Sequence, residues 1–329
     1  MDLRSNPFND AWAAFSDNKE PWRRILVDSI GEIKVFGTLS SPDNSEAVLV
    51  TSPVLCSYSG DLPSGKGFNV SLCELDGTNH LLIAKNSGAD ISLFSTMVFD
   101  VFSSLKTPSV LPESALIDRM MIRIKSWQEF MRKGSSKLSK EYELGLIGEL
   151  QCIIDMIRLG SNAEDVICHW VGPFRGVQDF IFDMGAVEVK TTSSAESFHA
   201  KINSLEQLDE FFISPIYLFG YRIQERSNGL TLNDFVDSVR ELLMSDQGSL
   251  NKFNSSVIAA GYLDEHKNEY KRQFERVEVL IWKMGPEFPK LSSTNTHSAV
   301  VKATYSIDLN QIAHDETLID EVLATLGVK

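Results

Sequence analysis

Cysteine is scarce: the 329 residues hold four, Cys56, Cys73, Cys152 and Cys168. None forms a CxxC pair, so neither a zinc knuckle nor a disulfide framework is indicated, and buried structural thiols are expected. The six histidines are dispersed, which leaves a hard ion held by carboxylates as the kind of metal to look for. No apolar run approaches the roughly 18–20 residues of a membrane span. The opening "MDLRSNPFNDAW" lacks the basic-then-apolar layout of a signal peptide, so a cytoplasmic protein with no membrane contact is expected. There is no internal repeat, no low-complexity tract and no P-loop, so energy for translocation would come from elsewhere. Positive charge is also short. With 31 basic and 45 acidic residues the net charge is −14, which argues against a chain that grips nucleic acid over a broad surface by itself. A local basic patch, or delivery to DNA by a partner, stays open.

What is present is ordinary for a soluble globular protein, with 43% hydrophobic and 23% charged residues. The length suits two domains. "GEIKVFGTL", "EAVLV", "GFNVSLCEL" and "HLLIAK" are short β-rich runs separated by Ser, Pro, Asp, Asn and Gly. "DISLFSTMVFDVFSSL" follows with helical spacing and Asp90 as its N-cap. "SALIDRMMIRIKSWQEFMRK" is a second helical pattern, punctuated upstream by Pro108 and Pro112. "RKGSSKLSK" (132–140) reads as a solvated hinge that could also touch phosphate. The domain boundary is placed there: 1–133 as a β-rich α+β N-terminal domain ending in helices, and 134–329 as an α/β domain. Past the hinge, "EYELGLIGELQCIIDMIRLG" is a helix with Leu146, Leu150, Ile153 and Ile157 on its apolar stripe and Gly160 as its stop. "DFIFDMGAVEVK" reads as a hairpin and "SPIYLFGYRI" as a strand. "TLNDFVDSVRELLM" is a helix opened by Thr231, "RVEVLIWKM" and "SAVVKATYSIDL" are strands, and "DETLIDEVLATLG" is a final helix.

The chemistry concentrates in that hairpin. An acid-x-Lys pattern alone says little, since it occurs five times, but geometry singles out Glu188. With Met184 and Gly185 as a two-residue loop, Asp179 faces Lys190 and Ile181 faces Glu188. Period-2 alternation then puts Asp179, Glu188 and Lys190 on one face. Cross-strand spacing lets two carboxylates share a cation under an ammonium; a structural ion pair on a sheet face is the plainer reading of the same residues. A three-residue loop would move Asp179 to the other face. Glu149 lies on the shoulder of the preceding helix's apolar stripe and either points inward or stays at the surface. Gly145 and Gly148 beside it are poor helix formers that make sense under close packing. In the metal reading, Asp179 and Glu188 hold Mg²⁺ through oxygen, and Lys190 orients the attacking water and stabilises the charge growing on phosphate. Gln207 follows Ser204 at capping-box spacing. Arg175 sits in a Gly-rich loop and reaches either phosphate or solvent; His199 and Lys201 follow the hairpin near its edge. Trp170 and Pro173 read as packing and turn residues.

The order "GLIGEL", "WVGPFRGVQDF", "VEVKTT", "SLEQL" resembles the PD-(D/E)XK nuclease superfamily. More narrowly, it is similar to a bacterial family first catalogued as a domain of unknown function. The likeness takes in "SWQEF", "LSKEYELGLIGEL" and "FPKL" and is tightest over residues 138 to 210. It implies a restriction-endonuclease-like core, a mixed sheet flanked by helices. It also implies site roles: Glu149 the helix acid, Asp179 the D of PD, and Glu188 and Lys190 the E and K. One position departs, because Gln178 precedes Asp179 where the pattern has proline. The resemblance implies a metal-dependent deoxyribonuclease using Mg²⁺ (or Mn²⁺) at Asp179, Glu188 and Glu149; by their positions near that site, Arg175, Lys201 and Gln207 are the candidate DNA contacts. Members are encoded in phage-defence and restriction-like loci beside ATPases and methyltransferases, which implies partner-dependent cutting and accommodates the acidic charge. A homodimer would be the simplest way to cut both strands. Two other readings stay open: a non-catalytic DNA-binding or assembly subunit with the same fold, and a plain interaction protein.

Overall fold

A computed structural model describes residues 6–15, 23–57, 60–75, 77–106, 111–133, 137–211 and 213–328. Pro108, residues 134–136 of the hinge and the side chain of Cys56 lie outside the described residues. The chain divides into two compact units, Met1–Ser135 and Ser136–Lys329.

In the first unit α1 (Pro7–Ala13) precedes five strands, β1 (Arg24–Ile30), β2 (Ile33–Leu39), β3 (Glu46–Thr51), β4 (Phe68–Leu75) and β5 (Thr78–Lys85). They form one antiparallel sheet in the order β1-β2-β3-β5-β4. Helix α1 lies close over β2, where a Cβ on Gly37 would stand 2.7 Å from that of Ala11. The indole of Trp12 donates to the Ala47 carbonyl. Two helices follow, α2 (Ile91–Ser103), capped by Asp90, and α3 (Glu113–Lys133). They are tied by Asp100, which accepts from Arg123 and from the Trp127 indole. Helix α1 and strand β1 were not expected from the sequence, because each is short and neither shows a strong period.

The second unit is built on α4 (Lys140–Arg158), α5 (Ala163–His169), β6 (Phe180–Phe182), β7 (Gly185–Thr192), β8 (His199–Ile202) and β9 (Ile216–Leu230). It continues through α6 (Leu232–Leu242), α7 (Gln247–Ala260), β10 (Phe274–Lys283), β11 (Tyr305–Asp308) and α8 (Ile319–Thr325). Ser139 caps α4, and Thr231 with Asp234 makes a full capping box on α6. Helix α7 was also not anticipated. The expected strand over 298–309 shrinks to Tyr305–Asp308, because the residues before it run through an exposed loop. The sheet is mixed, ordered β10-β9-β7-β6, with β7 and β9 parallel and the other neighbours antiparallel. Helices bury one face of it: Leu146, Leu150 and Ile153 of α4 join Val187, Val189, Tyr217 and Phe219 in one core. The other face packs Ala186, Ile216 and Leu218 against Phe198, Ala200, Ile202 and Ile307 of the separate β8–β11 ribbon. A sheet buried on both faces needs strands apolar on both faces, so a charged pair in the middle of β7 is costly.

The structure departs from the sequence reading at the hairpin and at the cysteines. The hairpin ladder pairs Phe180 with Val187, Ile181 with Ala186 and Phe182 with Gly185, so the turn is Asp183–Met184. Gly185 is a strand residue at φ +146°, where a Cβ would stand 2.4 Å from the Pro215 carbonyl oxygen. Close approach to that neighbour, and not the turn, is what requires glycine. The cysteines are not uniformly buried: Cys152 is buried, Cys73 half-buried and Cys168 exposed.

Candidate active site at the open end of the hairpin

Alternation along β7 sends Val187 and Val189 into the helix-side core. Glu188 and Lys190 therefore turn to the face covered by the β8–β11 ribbon. Glu188 is 1% exposed. Its Oε1 accepts from Lys190 Nζ at 2.6 Å and from Gln207 Nε2 at 2.6 Å. Its Oε2 is buried with no hydrogen-bond partner. The plain ion pair is thus present, and it leaves half of the carboxylate unsatisfied.

Asp179 stands one residue before β6, where the ladder has ended, not opposite Lys190 within it. One of its oxygens, Oδ2, accepts from the Val189 amide at 2.8 Å, closing the strand edge that β6 leaves open. Its backbone carbonyl accepts from Val171 and Gly172, which fixes the approach of the turn Gly172–Phe174. The other oxygen, Oδ1, faces Gly172: a Cβ there would lie 2.7 Å from it and 3.3 Å from Glu149 Oε2. Glycine at 172 keeps open a space bordered by two carboxylates.

Glu149 reaches this space because α4 presses onto β7. A Cβ on Gly148 would fall 1.9 Å from Thr191 Oγ1, while Gly145 has open space around it. The close packing expected of the two glycines therefore applies to Gly148 alone. Trp170, buried as expected for a packing residue, donates its indole N–H to Glu149 Oε2 at 2.7 Å. Gln178 is buried, and its amide donates to the carbonyls of Glu206 and Gln207. A proline there could not make that tie, which holds the Gln207 segment against the hairpin.

The electrostatics follow from burial. Burial, and then the Asp179 charge, push the Glu188 carboxyl up to about 8 against the pull of Lys190. Burial likewise raises Asp179, opposed by Lys190 and the Val189 amide. Burial alone would lower Lys190, but the charges of Glu188, Asp179 and Glu149 outweigh it and keep the ammonium protonated. Three acids thus act on one cation.

The structure brings together Glu149, Asp179, Glu188, Lys190 and Gln207. Gln207 does not cap: the 3-10 turn Glu206–Leu208 has no side-chain cap, and Gln207 holds Glu188 while its Oε1 accepts from the Asn203 amide. The capping-box spacing hid this, since Ser-x-x-Gln reads the same in both roles. Arg175 and Lys201 stand exposed, Arg175 at a left-handed φ of 66° after Gly172–Phe174 and Lys201 on β8 opposite Ser306. His199 lies opposite Asp308 on the same ribbon. Sequence reasoning did not single out Tyr305: burial raises its phenol, against the Leu291 amide that donates to its hydroxyl and the Lys190 charge.

Among the described residues no three His, Cys, Asp or Glu side chains converge to hold a metal ion. A Mg²⁺ site asks for less, one or two carboxylates with water completing the octahedron. The residues fit that kind of site on two observations. Glu188 Oε2 is buried and unpartnered, and the space over Gly172 is bordered by Asp179 and Glu149.

A mixed sheet with helices packed on one face, and an acid-x-Lys strand beside an aspartate at its open edge, defines a PD-(D/E)XK-like fold. The chain belongs to the family described as "Putative PD-(D/E)XK family member, (DUF4420)", whose model matches residues 8–310. No curated protein and no solved structure matches the chain. No helix among the described residues is long and apolar enough to cross a membrane.

Proposed function

We propose that the protein is a Mg²⁺-dependent DNA endonuclease, with Mn²⁺ able to substitute, that hydrolyses phosphodiester bonds. The observation that carries this reading is the buried Glu188, shared by Lys190 and Gln207 through one oxygen with the other left unpartnered. A buried acceptor without a partner costs about 1–3 kcal/mol, a cost that a cation ligated there removes. Asp179 and Glu188 would hold the ion, and Glu149, fixed by Trp170, would support it or its waters. When bound, the ion supplies Lewis-acid neutralisation of charge on the scissile phosphate and acidifies water.

The chain's own groups do the rest. Lys190 stays protonated and donates toward the attacking water and the phosphoryl oxygens, where negative charge grows in the transition state. Gln207 keeps Glu188 from swinging onto Lys190 with both oxygens. Gln178 and the Val189 amide hold Asp179 and its strand edge in place. The family resemblance supports an anti-phage or restriction setting with partner proteins such as an ATPase or methyltransferase, and a homodimer for double-strand cutting. The two units stand as an N-terminal β-rich domain and a nuclease domain.

Plasmid cleavage tests this. Wild type is compared with Asp179→Ala and Lys190→Ala, with Mg²⁺, Mn²⁺ or EDTA, alone and with the products of adjacent genes. Cutting that needs metal and is lost in both variants supports the reading. No cutting under any condition, with the variants folded, favours the second reading, a non-catalytic DNA-binding or assembly subunit. The direct Lys190–Glu188 ion pair is the observation on that side.

A further inference from the structure

The chain's acidity is not spread evenly. Between Glu287 and Asp308 lie twenty residues without a single Asp or Glu, the longest such stretch in a chain of net charge −14. It carries Lys290, His297 and Lys302. It forms the loop between β10 and β11, and its tip is strongly exposed, with Val301 92% and Val300 41% accessible. Two adjacent valines therefore stand in water beside Lys302.

The root of the loop is tied to the segment that serves the candidate site. Asp209 accepts from the amide and hydroxyl of Ser293. Burial would raise Asp209, but those bonds outweigh it and keep the carboxylate ionised. Lys290 pairs with Glu210 at 2.6 Å. Two residues before Asp209, Gln207 donates to Glu188. At the far end, Tyr305 begins β11, and its hydroxyl accepts from the Leu291 amide. Thr304 donates to the Asn203 carbonyl, and the Asn203 amide donates to Gln207, so both ends of the loop are tied to the segment that holds Glu188, while the residues from Ser293 to Lys302 are largely exposed. A cavity of about 660 Å³ runs along β11, lined by Lys290, Leu291, Tyr305, Ser306 and Asp308 among others. On the ribbon next to it Lys201 is exposed opposite Ser306.

We propose that the β10–β11 loop is the arm by which this chain engages DNA, with Lys302 and Lys201 on phosphates and Val300–Val301 packed against the duplex groove. The inference rests on the nuclease reading and names the surface that delivers substrate to that same site. A lysine-bearing stretch with no acid of its own, bordered by Asp308 and by Glu210, which Lys290 pairs, meets the objection that the whole chain is acidic. Phosphate contact requires local complementarity, and the Debye length of about 8 Å at physiological salt screens the acids farther away. Apolar side chains are also set into the groove by proteins that bend a duplex, while phosphate contacts fix the register.

The test is fluorescence anisotropy of a labelled duplex with the full chain in Ca²⁺ or EDTA, across a salt series, alongside plasmid cleavage in Mg²⁺. The variants are Lys302→Glu, Lys302→Ala and Val300→Ser/Val301→Ser, all at exposed positions outside the cluster. Lys302→Ala should lower the slope of log affinity against log salt by about 1. Lys302→Glu and the double serine variant should each weaken binding about tenfold, with unchanged melting. Cutting should fall in parallel and recover at high protein concentration. If all the tip variants bind and cut like wild type while Lys190→Ala abolishes cutting, the arm is overturned and the nuclease reading stands. If wild type neither binds nor cuts duplex DNA under any condition, both fall.

Discussion

Glu188 offers the sharpest quantitative test. Its carboxyl sits at about 8 in the metal-free fold, against 4.5 for an ordinary glutamate. The unfolded chain gives up this proton near 4.5, and the folded chain keeps it to about 8. The folded state therefore binds more protons throughout that window, and its stability falls as pH rises. The contribution is fully present below the unfolded value and lost by the time the pH passes the folded one. At about 1.4 kcal/mol per pH unit, the loss across the window is on the order of 4–5 kcal/mol. A comparable loss would consume much of a domain's roughly 5–15 kcal/mol. Asp179, raised in the same direction, adds to it. Urea melts of the full chain in EDTA, from about pH 5 to above 8, measure the slope directly. Glu188→Gln removes the ionisation at nearly constant shape, so its profile should be flatter and its stability at pH 8 should exceed that of wild type. Mg²⁺ binds the ionised form, so it should restore wild-type stability at pH 8 and do little at pH 5. A wild-type profile that is flat or rises between pH 5 and 8, or a Glu188→Gln profile of unchanged slope, would refute the reasoning.

Other perturbations bear on the same geometry. Gly148→Ala puts a methyl 1.9 Å from Thr191 Oγ1, so it should cost about 1–3 kcal/mol in denaturant melts; Thr191→Ala in that background should recover most of it, as a double-mutant cycle would show. Gly172→Ala would fill the space between Asp179 and Glu149; isothermal titration should show Mg²⁺ binding weakened at least tenfold. Trp170→Phe keeps the core ring but leaves Glu149 without its indole donor; it should cost about 1–3 kcal/mol and lower Mg²⁺-dependent cutting in a plasmid assay. Gln207→Leu should slow cutting without changing affinity for a duplex, because its amide meets Glu188 and not the exposed arm.

Much of this was written in the chain. Capping residues Asp90 and Thr231, the stop at Gly160 and the stripe of α4 are local signals, set by backbone hydrogen bonds within a turn or two, and the structure carries all of them. The alternation that exposes Glu188 and Lys190 to one face and Val187 and Val189 to the other is likewise local. Only tertiary structure decided the rest. The register moved by two residues because Gly185 is claimed by Pro215, a residue thirty positions on. The even shift left the parity of β7 intact; Asp179 falls outside the ladder, at the strand edge, because β6 begins only at Phe180. Gln207 passed for a cap because short-range spacing cannot show that a side chain reaches Glu188 across the fold. Trp170 could be read as core from its type, but its hydrogen bond to Glu149 depends on α4 and the turn before β6 meeting in space. Periodicity reports which way a side chain points. What it meets there is set by close packing between segments far apart in sequence, and the candidate site is made of such meetings.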